Sequence, residues 1–137
     1  MKHIAHCLSG FILGACLSFS SHAINLFKDS QKEIMETYSR AAYIAARGGA
    51  CDQPDVFQHT LDALLNYAEN ENIKKRFGRD FLEDRMDYFM YKFVTDKIAI
   101  QQLIKERQAA KSSLCNLSIF VNSDVILACV TYDECIH

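Results

Sequence analysis

The chain has 137 residues, of which 50 % are hydrophobic and 23 % charged, with only 5 glycines and 1 proline. Such a composition belongs to a globular domain and excludes a disordered tail, a collagen-like repeat and a turn-rich all-β fold. The formal net charge of −2 is too nearly balanced to imply nucleic acid or an anionic membrane surface as partner.

The N-terminus carries the clearest functional signal. Met1, Lys2 and His3 open a short basic region without an acid, and an apolar run extends from Cys7 to Phe19. Ser21 and Ala23 then supply the small side chains a signal peptidase requires at −3 and −1. The 13-residue run falls short of the roughly 20 apolar residues that span a bilayer. Residues 1–23 are therefore expected to be a cleaved secretory signal, leaving residues 24–137 as one domain. A rival processing site is Leu13-Gly14-Ala15-Cys16, a lipobox-like sequence that would anchor the protein by a lipid on Cys16.

Beyond Ala23 the first predicted element is a helix. Ser30 and Glu33 have capping-box spacing, and Ile34, Met35, Tyr38, Ala41, Ala42 and Ala45 recur on one helical face. Gly48-Gly49 is expected to stop it. A second helix starts near Pro54, since proline suits a first helical turn. It carries Phe57, Leu61, Leu64, Leu65 and Ala68 as a stripe and ends in Glu69-Asn70-Glu71-Asn72.

Residues 73–111 read as almost continuously helical, with a kink expected at Gly78 and a possible division at Thr95-Asp96. The last part is ambiguous. Leu117, Ile119, Phe120 and Val121, then Val125, Ile126 and Leu127, suit either two short strands or two packed helices. Asn122-Ser123-Asp124 reads as a turn or N-cap between them. The expected fold is an all-α bundle of four to six helices, with residues 114–134 as a short β-hairpin in the alternative.

Cys51, Cys115, Cys129 and Cys135 remain after removal of the signal. An even number in an exported chain predicts two disulfides. A hairpin folded at Asn122, seven residues from both Cys115 and Cys129, would bring those two level. That selects Cys115–Cys129 and leaves Cys51–Cys135. The competing use is a metal site of Cys129, Cys135 and His137, whose spacing matches no standard zinc pattern.

No motif specifies an activity. The mature chain keeps two histidines, His59 and His137, and lacks a zinc-hydrolase pair, a phosphate loop and a nucleophile elbow. His59 with Cys51 as nucleophile is the nearest approach to a catalytic pair, against a plainer reading of His59 as a boundary residue. Asp84 and Asp87 share a helical face, but Arg79, Arg85 and Lys92 alternate with them as on a solvated surface. Lys74-Lys75-Arg76 and Arg79 are offset by Glu69, Glu71, Asp80 and Glu83, too weak a field for nucleic acid. No cofactor and no metal is called for.

Phe77–Val94 is the most informative segment. Leu82, Met86, Phe89, Met90 and Phe93 fall on one arc, an ordinary core face. Phe77, Phe81, Tyr88 and Tyr91 form a second arc beside Arg85. A helix apolar on two sides is either central or offers one face to a partner, and tyrosine and arginine are enriched where interfaces concentrate energy. The candidate partner-binding residues are thus Phe77, Phe81, Tyr88, Tyr91 and Arg85. Asn116-Leu117-Ser118 also fits a glycosylation sequon, relevant only in a eukaryote, whereas the brief basic region favours a bacterial periplasmic protein, with lipid anchoring through Cys16 or an extracellular location as the alternative.

With a mature charge of 14 − 17 = −3, the expectation is a small exported, non-catalytic binding or inhibitory protein acting on a protein partner. A toxin-neutralising immunity protein is one such type. The alternatives are an exported enzyme with a site not visible in the sequence and a structural subunit of an envelope assembly.

Overall fold

A computed structural model describes residues 28–133 and Cys135. The expected signal segment, its cleavage at Ala23, the lipobox Cys16 and the terminal His137 lie outside the described residues. Six helices follow one another, with no strand among the described residues: α1 Gln31–Ala50, α2 Pro54–Asn70, α3 Ile73–Phe77, α4 Arg79–Glu106, α5 Ala110–Leu114 and α6 Ser123–Tyr132. From Lys32 onward they form one compact unit, an all-α bundle with two disulfides.

The central element is α1. Ile44, Ala45, Ala46, Arg47 and Gly48 are consecutive and all buried, so the second half of the helix is covered in every direction. Its alanines and glycines allow this, because small side chains let neighbouring helices approach closely. The helix ends at Ala50, one residue past the expected Gly48-Gly49 stop. A Cβ on Gly48 would lie 2.7 Å from Val56 Cβ of α2, so this glycine is a point of close helix packing.

Around α1, Tyr38 meets Tyr67 of α2 edge-on at 6.2 Å. Phe57 of α2 packs on Phe89 and Phe93 of α4 at 6.1 and 4.9 Å, and α2 also lies against α6. Two arginines of α1 hold helix ends. Arg40 Nε donates to the Val130 carbonyl of α6 at 2.7 Å. Arg47 donates to the carbonyls of Leu114, Ser113 and Asn116 at 2.8, 3.2 and 3.5 Å. Both arginines place a cation at the negative end of a helix, where the last carbonyls lack intrahelical donors. Burial lowers the pKa of Arg47 from its ordinary value, partly offset by the nearby Tyr43.

Gly78, with φ +98°, separates α3 from α4, and only glycine adopts such a conformation readily. The division expected at Thr95-Asp96 does not occur. Lys92 and Asp96 pair across one turn, and α4 continues for 28 residues.

The C-terminal part corrects two expectations. Residues 116–121 form turns and irregular chain, so there is no hairpin, either β or helical. Asn122 instead caps α6, its side chain accepting from the Val125 N–H at 2.9 Å. Without two facing arms Cys115 and Cys129 are not level, and the expected Cys115–Cys129 and Cys51–Cys135 pairs do not form.

The disulfides are Cys51–Cys115 and Cys129–Cys135, with Cα separations of 5.5 and 5.0 Å, inside the range a bridge demands. The first joins the chain just after α1 to the chain just after α5, the junction that Arg47 also fastens. The second needs α6 to end before Cys135, and it does. Asp133, left-handed at φ 57°, follows Tyr132 and turns the chain back.

Candidate functional site

The 28-residue α4 is the outer wall of the bundle. Only Phe89 and Ile100 along it are buried, with Leu82, Met86 and Phe93 half-buried against the same core. This is the core face expected from the sequence, except that Met90 stands 42 % exposed at its margin. The helix is therefore not the central one; α1 holds that place.

The five candidate partner-binding residues separate into two groups. Phe77 and Phe81 stack at 4.7 Å. Arg76 lies over Phe77 and Arg85 over Phe81, each 4.7 Å from the ring centre. Phe77, Phe81 and Tyr88 are half-buried and packed on the core, on the flank of α4. Tyr91 lies apart from them, 69 % exposed.

Tyr91 shares its direction with Val94 and Ile98, which neither arc includes, and with Met90, expected on the core arc. Met90, Val94 and Ile98 are exposed beside it, all four within an arc of about 100° at the helical period. Asp80, Glu83, Asp84 and Asp87 project over the same arc in the preceding turns, all exposed. The outer face of α4 thus runs from a carboxylate-rich beginning to an apolar middle. Among these acids, Glu83 pairs with Arg79 at 3.6 Å, both side chains largely exposed. Asp80, in the first turn, also favours the helix, whose N-terminus is the positive end of its dipole. The sequence signal was present as an i, i+4, i+8 series, Met90, Val94 and Ile98. Aliphatic residues simply look like core when the location of the core is unknown.

The catalytic candidates are not brought together as a site. Cys51 is bonded to Cys115 and no cysteine is free among the described residues, so Cys51 has no thiolate to offer His59. Half-buried His59 keeps a buried Nδ1 without a hydrogen-bond partner. Cys129 and Cys135 are bonded to each other, and no group of potential metal ligands clusters among the described residues. The basic run is partly neutralised, Arg76 pairing with Glu71 at 3.1 Å. In the sequon, Ser118 Oγ donates to Asn116 Oδ1 at 3.2 Å, and Asn116 is exposed.

No protein-family model matches the chain, and no curated protein or solved structure matches it significantly. The two disulfides fit an exported protein. No helix among the described residues is long and apolar enough to cross a membrane.

Proposed function

We propose that the protein is exported to an oxidising compartment, the periplasm, and acts there without catalysis by binding another protein on the outer face of α4. The observation that supports this reading is the exposed series Met90, Tyr91, Val94 and Ile98 set beside four carboxylates. Four large apolar side chains exposed on one face form the kind of patch that marks protein interfaces. The adjoining acids favour a partner with a cationic surface around an apolar one, since complementary charge steers association and excludes wrong partners. A net-negative inhibitor that neutralises a basic cell-wall-degrading toxin, as immunity proteins do, has this character.

Photocrosslinking in the producing cell tests the reading. A photoreactive residue at Tyr91 or Ile98 should capture one heterologous basic protein, and the same residue at exposed Lys111 should not. Crosslinks only at twice the chain mass would favour a structural subunit instead. No crosslink from either position would remove the docking face.

A further inference from the structure

On another side of the bundle α1, α2, α3 and α4 enclose an open cleft of about 650 Å³, within the roughly 300–1,000 Å³ typical of small-molecule sites. Its walls are mainly apolar, formed by Leu64, Leu65 and Ala68 of α2 and by Leu82 and Met86 of α4. Lys74 and Lys75, both exposed, line it from α3. Among the described lining residues Glu69 is the one carboxylate, which leaves one cation in excess.

Tyr38 also lines the cleft. Its side chain is 0 % exposed, and its hydroxyl has no hydrogen-bond partner. A buried donor without an acceptor is costly and uncommon in folded proteins. Burial pushes the Tyr38 pKa up to about 12, and the charge of Arg85 opposes that rise. The hydroxyl is therefore a proton-bearing donor at neutral pH, closed off behind the wall of an apolar cleft that also carries two lysines.

We propose that this cleft binds a single-chain anionic amphiphile of the fatty-acid class. The acyl chain lies along Leu64, Leu65, Ala68, Leu82 and Met86. On binding, the cleft wall opens to the buried Tyr38 hydroxyl, and the carboxylate accepts from it in the field of Lys74, Lys75 and Arg85. A neutral amphiphile would gain the apolar contacts and lose the charge pairing. A double-stranded or polyanionic ligand would meet Glu69 and too few cations. This second site is separate from the outer face of α4 and does not depend on the docking reading.

Calorimetric titration of the exported protein with dodecanoate and with 1-dodecanol, both below their aggregation limits, is the test. One dodecanoate should bind per chain, at least tenfold tighter than the alcohol. Decanoate should bind more weakly by roughly fourfold for each methylene removed. Lys74→Gln with Lys75→Gln should weaken dodecanoate severalfold while leaving alcohol binding unchanged. Tyr38→Phe should weaken dodecanoate about tenfold without loss of melting temperature, because it removes an unsatisfied buried hydroxyl. Leu65→Trp, at an exposed position on the cleft, should block both ligands and leave crosslinking from Tyr91 intact. The proposal is overturned if dodecanoate does not bind, if Leu65→Trp leaves its binding unchanged, or if acid and alcohol bind equally. Binding to phosphatidylglycerol vesicles without binding of monomeric dodecanoate would likewise overturn it, identifying a membrane contact instead.

Discussion

At the scale of single residues, the fold rests on positions whose importance lies in what they lack or in what they satisfy. Gly48 and Gly49 are sequence neighbours with opposite roles. A Cβ at 48 would sit 2.7 Å from Val56 Cβ and 3.0 Å from the Gln53 carbonyl oxygen, and neither atom belongs to the free end of a flexible chain. At 49 the nearest atoms are Lys97 Cδ at 3.1 Å, part of a mobile side chain, and the Phe93 ring at 3.4 Å. Replacing a helical glycine by alanine gains up to about 1 kcal/mol of propensity, while overpacking a tight core costs about 1–3 kcal/mol. Gly48→Ala is therefore expected to lower stability by about 1–2 kcal/mol, and Gly49→Ala to change it little or raise it by up to about 1 kcal/mol. Urea-unfolding midpoints of the two variants check this, and equal shifts would contradict the packing geometry. Arg47 makes the complementary point. It is only 8 % exposed in a chain whose other charges lie mostly outside, and its three carbonyl partners explain its burial. Nothing in local sequence marks it, because those partners lie 66 to 69 residues away.

At the scale of elements, legibility followed the range of the interactions. The first two helices, the break at Gly78 and the start of α6 at Asn122 were readable, since periodicity, proline, glycine and a capping side chain act within a few residues. The end of α1 was readable to within a residue from its Gly-Gly pair, but the contact those glycines make with α2 and α4 was not. The disulfides were misread for a similar reason. Cys51–Cys115 depends on the end of α5 lying against the end of α1, a tertiary fact carried by Arg47 and by Gln53, whose side chain donates to the Cys115 carbonyl at 3.4 Å. Cys129–Cys135 depends on one left-handed residue, Asp133. The two bridges close loops of very different length, with sequence separations of 64 and 6. On the chain-entropy model they contribute about 4 and about 2 kcal/mol. Cys51→Ala with Cys115→Ala should thus destabilise about twice as much as Cys129→Ala with Cys135→Ala, read from denaturant unfolding. Non-reducing peptide mapping should recover these two linkages, and a Cys115–Cys129 fragment would refute the architecture of the last third of the chain.

At the scale of the molecule, the choice the sequence left open concerned which helix is central. Two apolar arcs on residues 77–94 suited a buried helix as well as a presenting one, because periodicity shows that a face is apolar but not what covers it. Burial of the second half of α1 on all sides decides the matter: α4 is peripheral, with its inner face on the core and its outer face exposed. Substitutions on the two faces should then separate cleanly. Phe89 is 0 % exposed and contacts Phe57, so Phe89→Ala should cost about 3–5 kcal/mol. Tyr91 and Ile98 are 69 % and 61 % exposed, so Tyr91→Ala and Ile98→Ala should each stay within about 0.5 kcal/mol. Half-buried Tyr88 should fall between these limits. Thermal unfolding distinguishes the cases, since about 1 kcal/mol moves the midpoint of a domain this size by roughly 4–5 °C. Stability retained at 91 and 98 together with loss of the crosslinked partner would show that α4 keeps its outer residues for binding. A loss at 91 and 98 as large as that at 89 would instead mean that the outer face is covered, and the docking surface would have to be sought elsewhere on the molecule.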